Sequence, residues 1–305
     1  MNPILSVVIV NWNTRDLVMQ CLASVYASSP DKSEVLVVDN ASTDGGAAAV
    51  STYFSQVRLI QNRENVGFAQ ANNQAIQECT GRYILLLNSD TKVLPGGLET
   101  LVQFMETHPE AGAAGAQILN PDGSLQLSCY PAPTLTRELW RLLHLDAFWP
   151  YGEYPMTGWN LESPREVETM LGACLILRRK ALDQTGLLDQ DYFMYSEEID
   201  LCYRLRRKGW RLYWMPLAKV IHYGGQSTQQ VASKMFVQLY RSKILYFRKH
   251  HGRLSALVYK LILLITSVLR VVLSPLAWLE RPPKRQRHFY LTHNYLRLMV
   301  TLPGM

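Results

Sequence analysis

Residues 83–93, YILLLNSDTKV, are the stretch that best indicates how this chain folds. Five apolar residues are followed by Asn88, Ser89 and Asp90. A short apolar run that ends in polar residues is typical of a strand buried on both faces, as in a parallel sheet. Ligands of open α/β sheets bind beyond the carboxyl ends of the strands, so these three polar residues are candidate ligand contacts.

Similar runs lie on both sides of this stretch. With Tyr83–Leu87, the predicted strands are Leu5–Val10, Glu34–Val38, Val57–Gln61 and Ala113–Ile118. Amphipathic helices are predicted to begin after Asn13 or Thr14 and to cover Ala69–Cys79. Strands that alternate with helices predict an α/β fold with a mostly parallel central sheet flanked by helices.

The second half of the chain is less regular. Residues 120–164 are rich in Pro, Trp and Tyr and begin with the turn signal NPDG, so we expect an irregular segment there. Val167–Leu177 and Leu212–Met215 read as strands, and a helix is predicted from about Ser196 to Lys208. From Thr228 onward the pattern predicts a C-terminal helical extension.

The overall composition is that of a globular enzyme. The chain has 305 residues, of which 48% are hydrophobic and 18% are charged, enough apolar material for one large domain or two closely joined halves. Its five cysteines are an odd number without a CxxC pair, which predicts reduced, mostly buried thiols rather than a disulfide framework or a zinc knuckle. The N-terminus lacks a basic region before its apolar run, so a first strand explains it better than a signal peptide.

The net charge of +6 is unevenly distributed. From Val231 to the end there are thirteen Lys or Arg and one acid, a net +12, which leaves −6 for the rest of the chain. A basic appendage of this kind usually meets an anionic surface, here nucleic acid or anionic lipid. The alternative is a solvated basic helix without a partner.

Two further segments have the residue types of a nucleotide site. Asp39 follows a buried strand in VLVVDNASTDGG, where a carboxylate accepts hydrogen bonds from a base or ribose, although Asp is also common at strand ends. In NRENVGFAQANNQAI, Gly67 permits a close backbone approach, and Asn65 and Asn72 lie near a helix start, where an anion is favoured. No GxGxxG or P-loop motif occurs in the sequence.

The remaining candidates are acids and one histidine. Asp90 suits a hard divalent cation beside a diphosphate, because such an ion takes one or two carboxylates and fills its other positions with phosphate and water. Glu197 and Glu198 follow an aromatic run at a helix start, where a carboxylate is a candidate general base. The alternative is an acidic first turn, with Asp200 paired to an arginine four residues later. His222 ends a strand-like run before two glycines and is either structural or a ligand.

Taken in order, these segments resemble glycosyltransferase family 2. The matching segments span about Ser6 to Ser227 and are SVVIVNWNT, VVDNASTDGG, NVGFAQANN, LLNSDT, GACLILRR, YSEEIDLCYR and HYGGQS. Within the family, the Asn-Ser-Asp and Glu-Glu forms look most like bacterial rhamnosyltransferase-type members. The resemblance implies the GT-A fold, transfer with inversion at the anomeric carbon, and Mn²⁺ or Mg²⁺ as the cofactor.

The resemblance also implies a role for each candidate residue. A nucleotide-sugar site would consist of Asn11, Asn13, Asp39, Asn65, Gly67, Asn72, Asn88 and Ser89. Asp90 would bridge to the metal with help from His222, and Glu198 would stand in place of the catalytic Asp. Two departures are Asn88, which replaces the first Asp of the DxD motif, and Glu for Asp at 198, which leaves Glu197 as a second candidate base.

The implied organisation has three regions. Residues 1–118 would bind the nucleotide sugar, 119–230 would hold the acceptor and the base, and 231–305 would be the basic helical extension. The expected donor is a dTDP- or UDP-linked sugar, and the acceptor is a glycan or lipid-linked sugar. Since the extension is apolar as well as basic, we expect peripheral contact with the cytoplasmic membrane face and not nucleic acid binding. A core helix packed on the catalytic domain is the alternative for its apolar stretch, and Lys260 and Arg270 interrupt that stretch too closely for a spanning helix. The alternative is a non-catalytic nucleotide-sugar-binding or scaffold protein of the same fold.

Overall fold

A computed structural model describes residues 3–30, 32–279 and 281–305 of the chain, which forms two compact units. The first unit comprises residues 1–132, 154–193 and 197–227, and the second comprises 133–153, 194–196 and 228–305. Met1, Asn2 and Asp31 lie outside the described residues. So does Glu280, the one acid in the basic tail.

The first unit is built on a nine-stranded mixed sheet. Its strands and those of a separate two-stranded sheet are, in chain order, β1 Leu5–Asn11, β2 Ser33–Asp39, β3 Arg58–Gln61, β4 Tyr83–Asn88, β5 Thr91–Val93, β6 Ala111–Leu119, β7 Cys129–Tyr130, β8 Arg165–Glu166, β9 Thr169–Met170, β10 Cys174–Arg178 and β11 Arg211–His222. The order across the large sheet is β3-β2-β1-β4-β10-β6-β11-β5, with β8 beside β11, while β7 pairs with β9. Six strands run in one direction, and β10, β5 and β8 run in the other.

The helices are α1 Arg15–Ser28, α2 Gly46–Tyr53, α3 Phe68–Glu78, α4 Gly97–Thr107, α5 Leu135–Leu142, α6 Arg179–Thr185, α7 Glu197–Arg207, α8 Gln226–Gln229, α9 Ala232–Leu273 and α10 Pro282–Thr301. In the first unit, two apolar clusters contain the side chains of the two sheet faces. Successive residues Val7, Val8 and Ile9 of β1 are all fully buried and alternate between these clusters. This burial on both faces is the physical reason for the continuous apolar runs in the sequence. All five cysteines are buried and free, as predicted.

The five predicted strands of the first 118 residues are all present as β1, β2, β3, β4 and β6. Two later predictions need correction. Val167–Leu177 is not one strand, because Leu171, Gly172 and Ala173 separate β9 from β10. The strand predicted at Leu212–Met215 continues to His222, past an irregularity between Met215 and Lys219 that lets β11 resume its pairing with β6.

The expectation of an irregular segment over 120–164 is also wrong to some extent, because α5 lies within it. The Thr134 side chain accepts a hydrogen bond from Arg137 N at 3.2 Å and so caps the first turn of this helix. The neighbouring prolines and aromatic residues favoured an irregular prediction, although Thr134 is a typical helix-capping residue.

The second unit contains α5, α9 and α10. Within α9, Gly252 has φ +86° and divides the helix into two segments. The segment after Gly252 buries one face, with Ala256, Tyr259 and Leu263. The opposite face exposes large apolar side chains at helical spacing, namely Leu254, Leu257, Leu261, Ile265, Val268 and Val272, and Leu276 is exposed just after the helix ends. In the described ranges, Ala232–Trp278 is the one helical stretch whose length and composition would allow it to cross a membrane.

A buried carboxylate lies at the core of this second unit. Glu138 is 1% exposed, and its Oε2 accepts from Lys243 Nζ at 2.7 Å and from the Tyr259 hydroxyl at 3.0 Å. Arg141 forms an ion pair with its other oxygen. A buried charge with three donors is satisfied, so this cluster is a structural element.

Candidate active site

Polar side chains lie at the carboxyl ends of β1, β2 and β4, at the same edge of the first unit's sheet. Asn11 Nδ2 donates to Asp39 Oδ2 at 3.0 Å, and Ser42 N donates to Asp39 Oδ1 at 2.9 Å. These bonds hold the Asp39 carboxylate, which is 3% exposed. The edge brings Asn11 and Asp39 together because β1 and β2 are parallel and pair in register at these two residues.

The network continues from β1 to the end of β4. Thr14 Oγ1 donates to Asn11 Oδ1 at 2.7 Å and lies 2.9 Å from Ser89 Oγ. Asn13, with φ +50°, accepts from Thr43 N at 2.7 Å. Four of the residues expected at the nucleotide-sugar site, Asn11, Asn13, Asp39 and Ser89, therefore belong to one local network of main-chain and side-chain bonds.

The segment from Asn65 to Asn72 makes bonds of its own. Asn65 Oδ1 accepts from Asn40 Nδ2 at 2.8 Å and from Gly67 N at 3.0 Å. Gly67 has φ +88°, and a Cβ there would lie 2.5 Å from the carbonyl oxygen of Phe193, so the close backbone approach at this glycine is to the chain itself. Asn72 Nδ2 donates to Phe68 O at 2.8 Å, within its own helix.

Asp90, His222 and Asn88 meet at the end of β4. His222 Nε2 lies 3.2 Å from Asp90 Oδ1 and 3.3 Å from Asn88 Nδ2. Their strands meet because β11 pairs with β5, with His222 opposite Thr91. Burial of Asp90 works against its ionisation, but hydrogen bonding and charge from His222 outweigh burial, so the pKa of Asp90 lies below its usual value.

Gln126 positions this histidine. Its Oε1 lies 2.6 Å from His222 Nδ1, while its Nε2 donates to Asn120 Oδ1 at 2.9 Å. Because the Gln126 oxygen accepts, Nδ1 of His222 is a donor, and Nε2 is the ring nitrogen that faces Asp90 and Asn88. A metal ion bound here would replace the proton on Nε2, the usual arrangement for a histidine whose other ring nitrogen is held by an outer partner.

The donors in this cluster fit a divalent cation shared with a substrate. Asp90, His222 and Asn88 offer a carboxylate, an imidazole and an amide side chain. Among the described residues there is no group of three His, Cys, Asp or Glu that could hold a metal ion alone. Mg²⁺-type ions at phosphate sites use one or two protein carboxylates and take their other ligands from phosphate and water, so the donor set agrees with such an ion.

Glu197 and Glu198 begin α7 after two residues with unusual backbone geometry. Tyr195 and Ser196 both have φ +67°, a region that costs non-glycine residues energy and that is often found at functional sites. The glutamates are 4% and 9% exposed, and Oε2 of each lacks a hydrogen-bond partner among the residues that the structure describes. The loop between β9 and β10 passes close to Glu198, because a Cβ on Gly172 would lie 3.7 Å from Glu198 Cβ.

The environment of these two acids favours their neutral forms. Burial raises the pKa of Glu198 to about 7, and burial together with the charge of Glu198 raises the pKa of Glu197 well above its ordinary value. Asp200 differs, because Arg204 pairs with it at 2.7 Å, as the alternative interpretation of this turn predicts. A carboxylate with a raised pKa and an unused oxygen has the properties of a general base.

Sequence reasoning missed three residues of this edge. Ser42 and Thr14 lie inside the quoted motifs, and their small hydroxyls following a strand were the available signal. Gln126 had no local signal, because it meets a histidine 96 positions later in the chain.

Comparison with known sequences finds a matching family and a curated relative. The family model described as glycosyl transferase family 2 matches residues 6–186. A curated relative from Mycobacterium tuberculosis, N-acetylglucosaminyl-diphospho-decaprenol L-rhamnosyltransferase, is 30% identical over 267 residues, which cover 83% of this chain and 86% of the relative.

Two solved structures share the fold. A mannosyltransferase from Pyrobaculum calidifontis in complex with GDP-Man and Mn²⁺ has a TM-score of 0.54 at 18% identity and covers 99% of this chain and 87% of its own. GalNAc-T7 with UDP, GalNAc and Mn²⁺ has a TM-score of 0.55 at 17% identity, covering 72% of this chain and 44% of its own. The predicted GT-A fold is confirmed, and the chain belongs to glycosyl transferase family 2.

Proposed function

We propose that this chain transfers a hexose from a nucleoside-diphosphate sugar to an acceptor hydroxyl, with inversion at the anomeric carbon. The observation that carries this is the meeting of Asn88, Asp90 and His222 at the sheet edge where the Asn11–Asp39 network also lies. The first group suits a diphosphate with its cation, and the second suits a nucleoside.

Donor binding would use both groups. Asp39 and Asn11 would bind the nucleoside, with Asn13 and the Asn65–Asn72 segment beside the base and diphosphate. Asp90 and His222 would hold Mn²⁺ or Mg²⁺, positioned by Gln126. When bound, such an ion supplies Lewis-acid neutralisation of charge on the departing diphosphate.

Glu198 would then act as the general base. Its carboxylate takes the proton of the acceptor hydroxyl while that oxygen forms a bond to the anomeric carbon. The bond from the anomeric carbon to the diphosphate oxygen breaks on the opposite face, and the nucleoside diphosphate leaves with that electron pair. Glu197 is the second candidate for the base because it lies at the same helix start. It ranks after Glu198 because it is more deeply buried.

The similarity to the mycobacterial rhamnosyltransferase supports a finer assignment. The name of that relative specifies an L-rhamnosyl donor and an acceptor linked by a diphosphate to decaprenol. We therefore propose dTDP-rhamnose as the first donor to test, followed by UDP-hexoses, and a lipid-linked sugar as the acceptor. Residues 1–118 would carry the donor, and 119–230 the acceptor and the base.

Contact with a membrane would come from the segment of α9 after Gly252. Its exposed face presents Leu257, Leu261 and Ile265 at 62%, 54% and 58% exposure, and neighbouring exposed apolar side chains of this kind mark a surface that contacts a partner or a membrane. Trp278 follows this face, with the Arg285 guanidinium 4.9 Å from its ring centroid. An apolar face bordered by Trp and Arg is typical of helices that lie in the interface of an anionic bilayer, here the cytoplasmic face.

Flotation with phosphatidylglycerol vesicles tests this contact. Replacing Leu257, Leu261 and Ile265 together with Gln should release the protein from the vesicles, whereas Tyr53→Gln with Leu217→Gln removes exposed apolar side chains of the first unit and should leave binding intact. Equal vesicle binding by the triple variant and the wild type would refute the assignment of this face.

Release of nucleoside diphosphate from a panel of sugar nucleotides tests the proposed function. With Mn²⁺ or Mg²⁺ and a membrane lipid extract, we expect turnover of one donor that EDTA abolishes and added Mn²⁺ restores. Tight nucleotide binding without turnover of any donor would instead support a non-catalytic binding protein.

A further inference from the structure

A pocket of about 390 Å³ lies within the second unit, between the loop after α5, the end of α9 and the start of α10. This volume falls in the roughly 300–1,000 Å³ range of ligand pockets. Its lining is mostly basic and includes His144, Arg270, Lys284 and Arg287, with Leu291 and Tyr295 on its apolar side. None of the described residues that line it is acidic.

Two cations of this pocket, Lys284 and Arg287, have no acidic partner among the described residues. In residues 3–30, 32–279 and 281–305, neither Lys284 nor Arg287 forms an ion pair with an acid, and both side chains are exposed at the pocket. The buried acid of the described unit, Glu138, is already occupied by Arg141, Lys243 and Tyr259. The pocket therefore has an excess of positive charge that an anionic ligand would balance.

Arg270 is held in place at the wall of the pocket. Its Nη2 lies 2.8 Å from His144 Nε2 and donates to Leu142 O, and its guanidinium lies 4.9 Å from the ring centroid of Tyr295. Its buried Nε has no hydrogen-bond partner among the described residues. Burial and the charge of Arg270 lower the pKa of His144 below its usual value, as expected where positive charge is concentrated. A fixed guanidinium is pre-organised to bind phosphate oxygens.

We propose that this pocket binds the diphosphate group of an isoprenoid-linked acceptor, an assignment that rests on the proposed transfer to a lipid-linked sugar. Three permanent cations, Arg270, Lys284 and Arg287, suit the two negative charges of a diphosphate diester better than the single charge of a phospholipid phosphodiester. The residues that line this pocket all belong to elements of the second unit, whereas the groups proposed to bind the donor belong to elements of the first.

The apolar side of the lining suits the hydrocarbon of such a ligand. Leu291 and Tyr295 follow the cations in sequence along α10, and Leu269 and Leu273, near Arg270 on α9, are 45% and 44% exposed. An ester that carries both a diphosphate and an isoprenoid chain would satisfy both kinds of surface. A free diphosphate would use only the cations.

Binding of geranylgeranyl diphosphate in non-ionic micelles, measured by calorimetry with metal withheld, tests this assignment. The variant is Lys284→Gln with Arg287→Gln. The matched control is Arg248→Gln with Arg297→Gln, which removes the same charge from exposed positions of α9 and α10 outside the pocket. Thermal unfolding of both proteins verifies that they fold.

We expect the pocket variant to bind geranylgeranyl diphosphate about 10- to 100-fold more weakly than the wild type, because charge-assisted hydrogen bonds are lost. The control should change by less than about threefold. Equal loss in both variants would overturn the assignment in favour of general electrostatic attraction. An equal loss of phosphatidylglycerol micelle binding in the pocket variant, or equally tight binding of inorganic pyrophosphate alone by the wild type, would overturn the isoprenoid source of the anion. No binding of geranylgeranyl diphosphate by the wild type would overturn the site.

Kinetics distinguish a failure of this site from a failure of the proposed function. The pocket variant should retain wild-type hydrolysis of the sugar nucleotide in water and lose at least tenfold in kcat/KM for a lipid-diphosphate acceptor. If the wild type turns over no donor, the proposed function fails, while the micelle measurement still decides whether the pocket binds an isoprenoid diphosphate.

Discussion

Buried carboxylates of the two units differ in how they are satisfied. Glu138 of the second unit is 1% exposed and accepts from Lys243 and Tyr259 while it pairs with Arg141. Glu197 and Glu198 of the first unit are almost as buried, yet Oε2 of each lacks a partner within the described ranges. Because an unsatisfied buried carboxylate costs stability, its presence points to a role other than folding.

We therefore expect acids of the first unit to affect activity more than stability, and Glu138 to do the reverse.

The largest effect should follow Asp90→Ala, which removes the carboxylate of the proposed cation site. Turnover should fall about 10³-fold, since metal assistance supplies several kcal/mol, and donor binding should weaken as well. Steady-state kinetics and calorimetry measure the two losses. The exposed Asp122→Ala is the control, and full activity of Asp90→Ala would contradict the site.

The converse change is Glu138→Gln, which leaves the charges of Lys243 and Arg141 without their counterion. We expect a loss of about 3–5 kcal/mol in the free energy of unfolding, the usual result of breaking a buried ion cluster. Urea denaturation measures it, with Glu64→Gln as an exposed control expected to stay within about 0.5 kcal/mol. An unchanged midpoint would show that the satisfied carboxylate has no structural role.

The buried Glu198 of the first unit should also make the stability of the protein depend on pH. Folding raises the pKa of Glu198 from 4.5 to about 7, so its favourable contribution is complete below pH 4.5 and is lost as pH rises through about 7. The free energy of unfolding should fall over this interval by roughly 2–3 kcal/mol. Glu198→Gln should flatten that region of the profile. If the free energy of unfolding falls with pH equally in the variant and the wild type, groups other than Glu198 cause the pH dependence.

A smaller effect is expected from Gln126→Ala, which removes the acceptor for His222 Nδ1 and frees the ring to rotate. Affinity for Mn²⁺ should fall about 10- to 100-fold, as is typical when the outer partner of a metal-binding histidine is lost. The Mn²⁺ dependence of turnover measures this change. Gln126→Glu, which keeps an acceptor oxygen, should recover most of the affinity. If Gln126→Ala has the same affinity for Mn²⁺ as the wild type, Gln126 has no positioning role.

Much of the candidate site at the end of β1, β2 and β4 was predictable from sequence. The five strands of the first 118 residues and the polar residues at their ends follow from local apolar runs, because parallel strands buried on both faces have few other sequence patterns. Asn11, Asp39, Asn88 and Asp90 could be placed at one edge for this reason.

Contacts between distant segments were not predictable. Sequence showed no sign that β10 inserts antiparallel between β4 and β6, or that Gln126 would meet His222. The basic pocket was equally hidden, because Arg270 and Arg287 belong to different helices whose packing decides what they line. In each case tertiary packing, not local propensity, sets the geometry.

The most direct test of the central claim compares Glu198→Gln with Glu197→Gln in turnover of the identified donor. Loss of a general base costs about 10²–10⁴-fold. We predict that loss for Glu198→Gln, with donor affinity unchanged and a smaller effect for Glu197→Gln. Full activity of Glu198→Gln, with the loss seen at Glu197 instead, would contradict the assignment of the base.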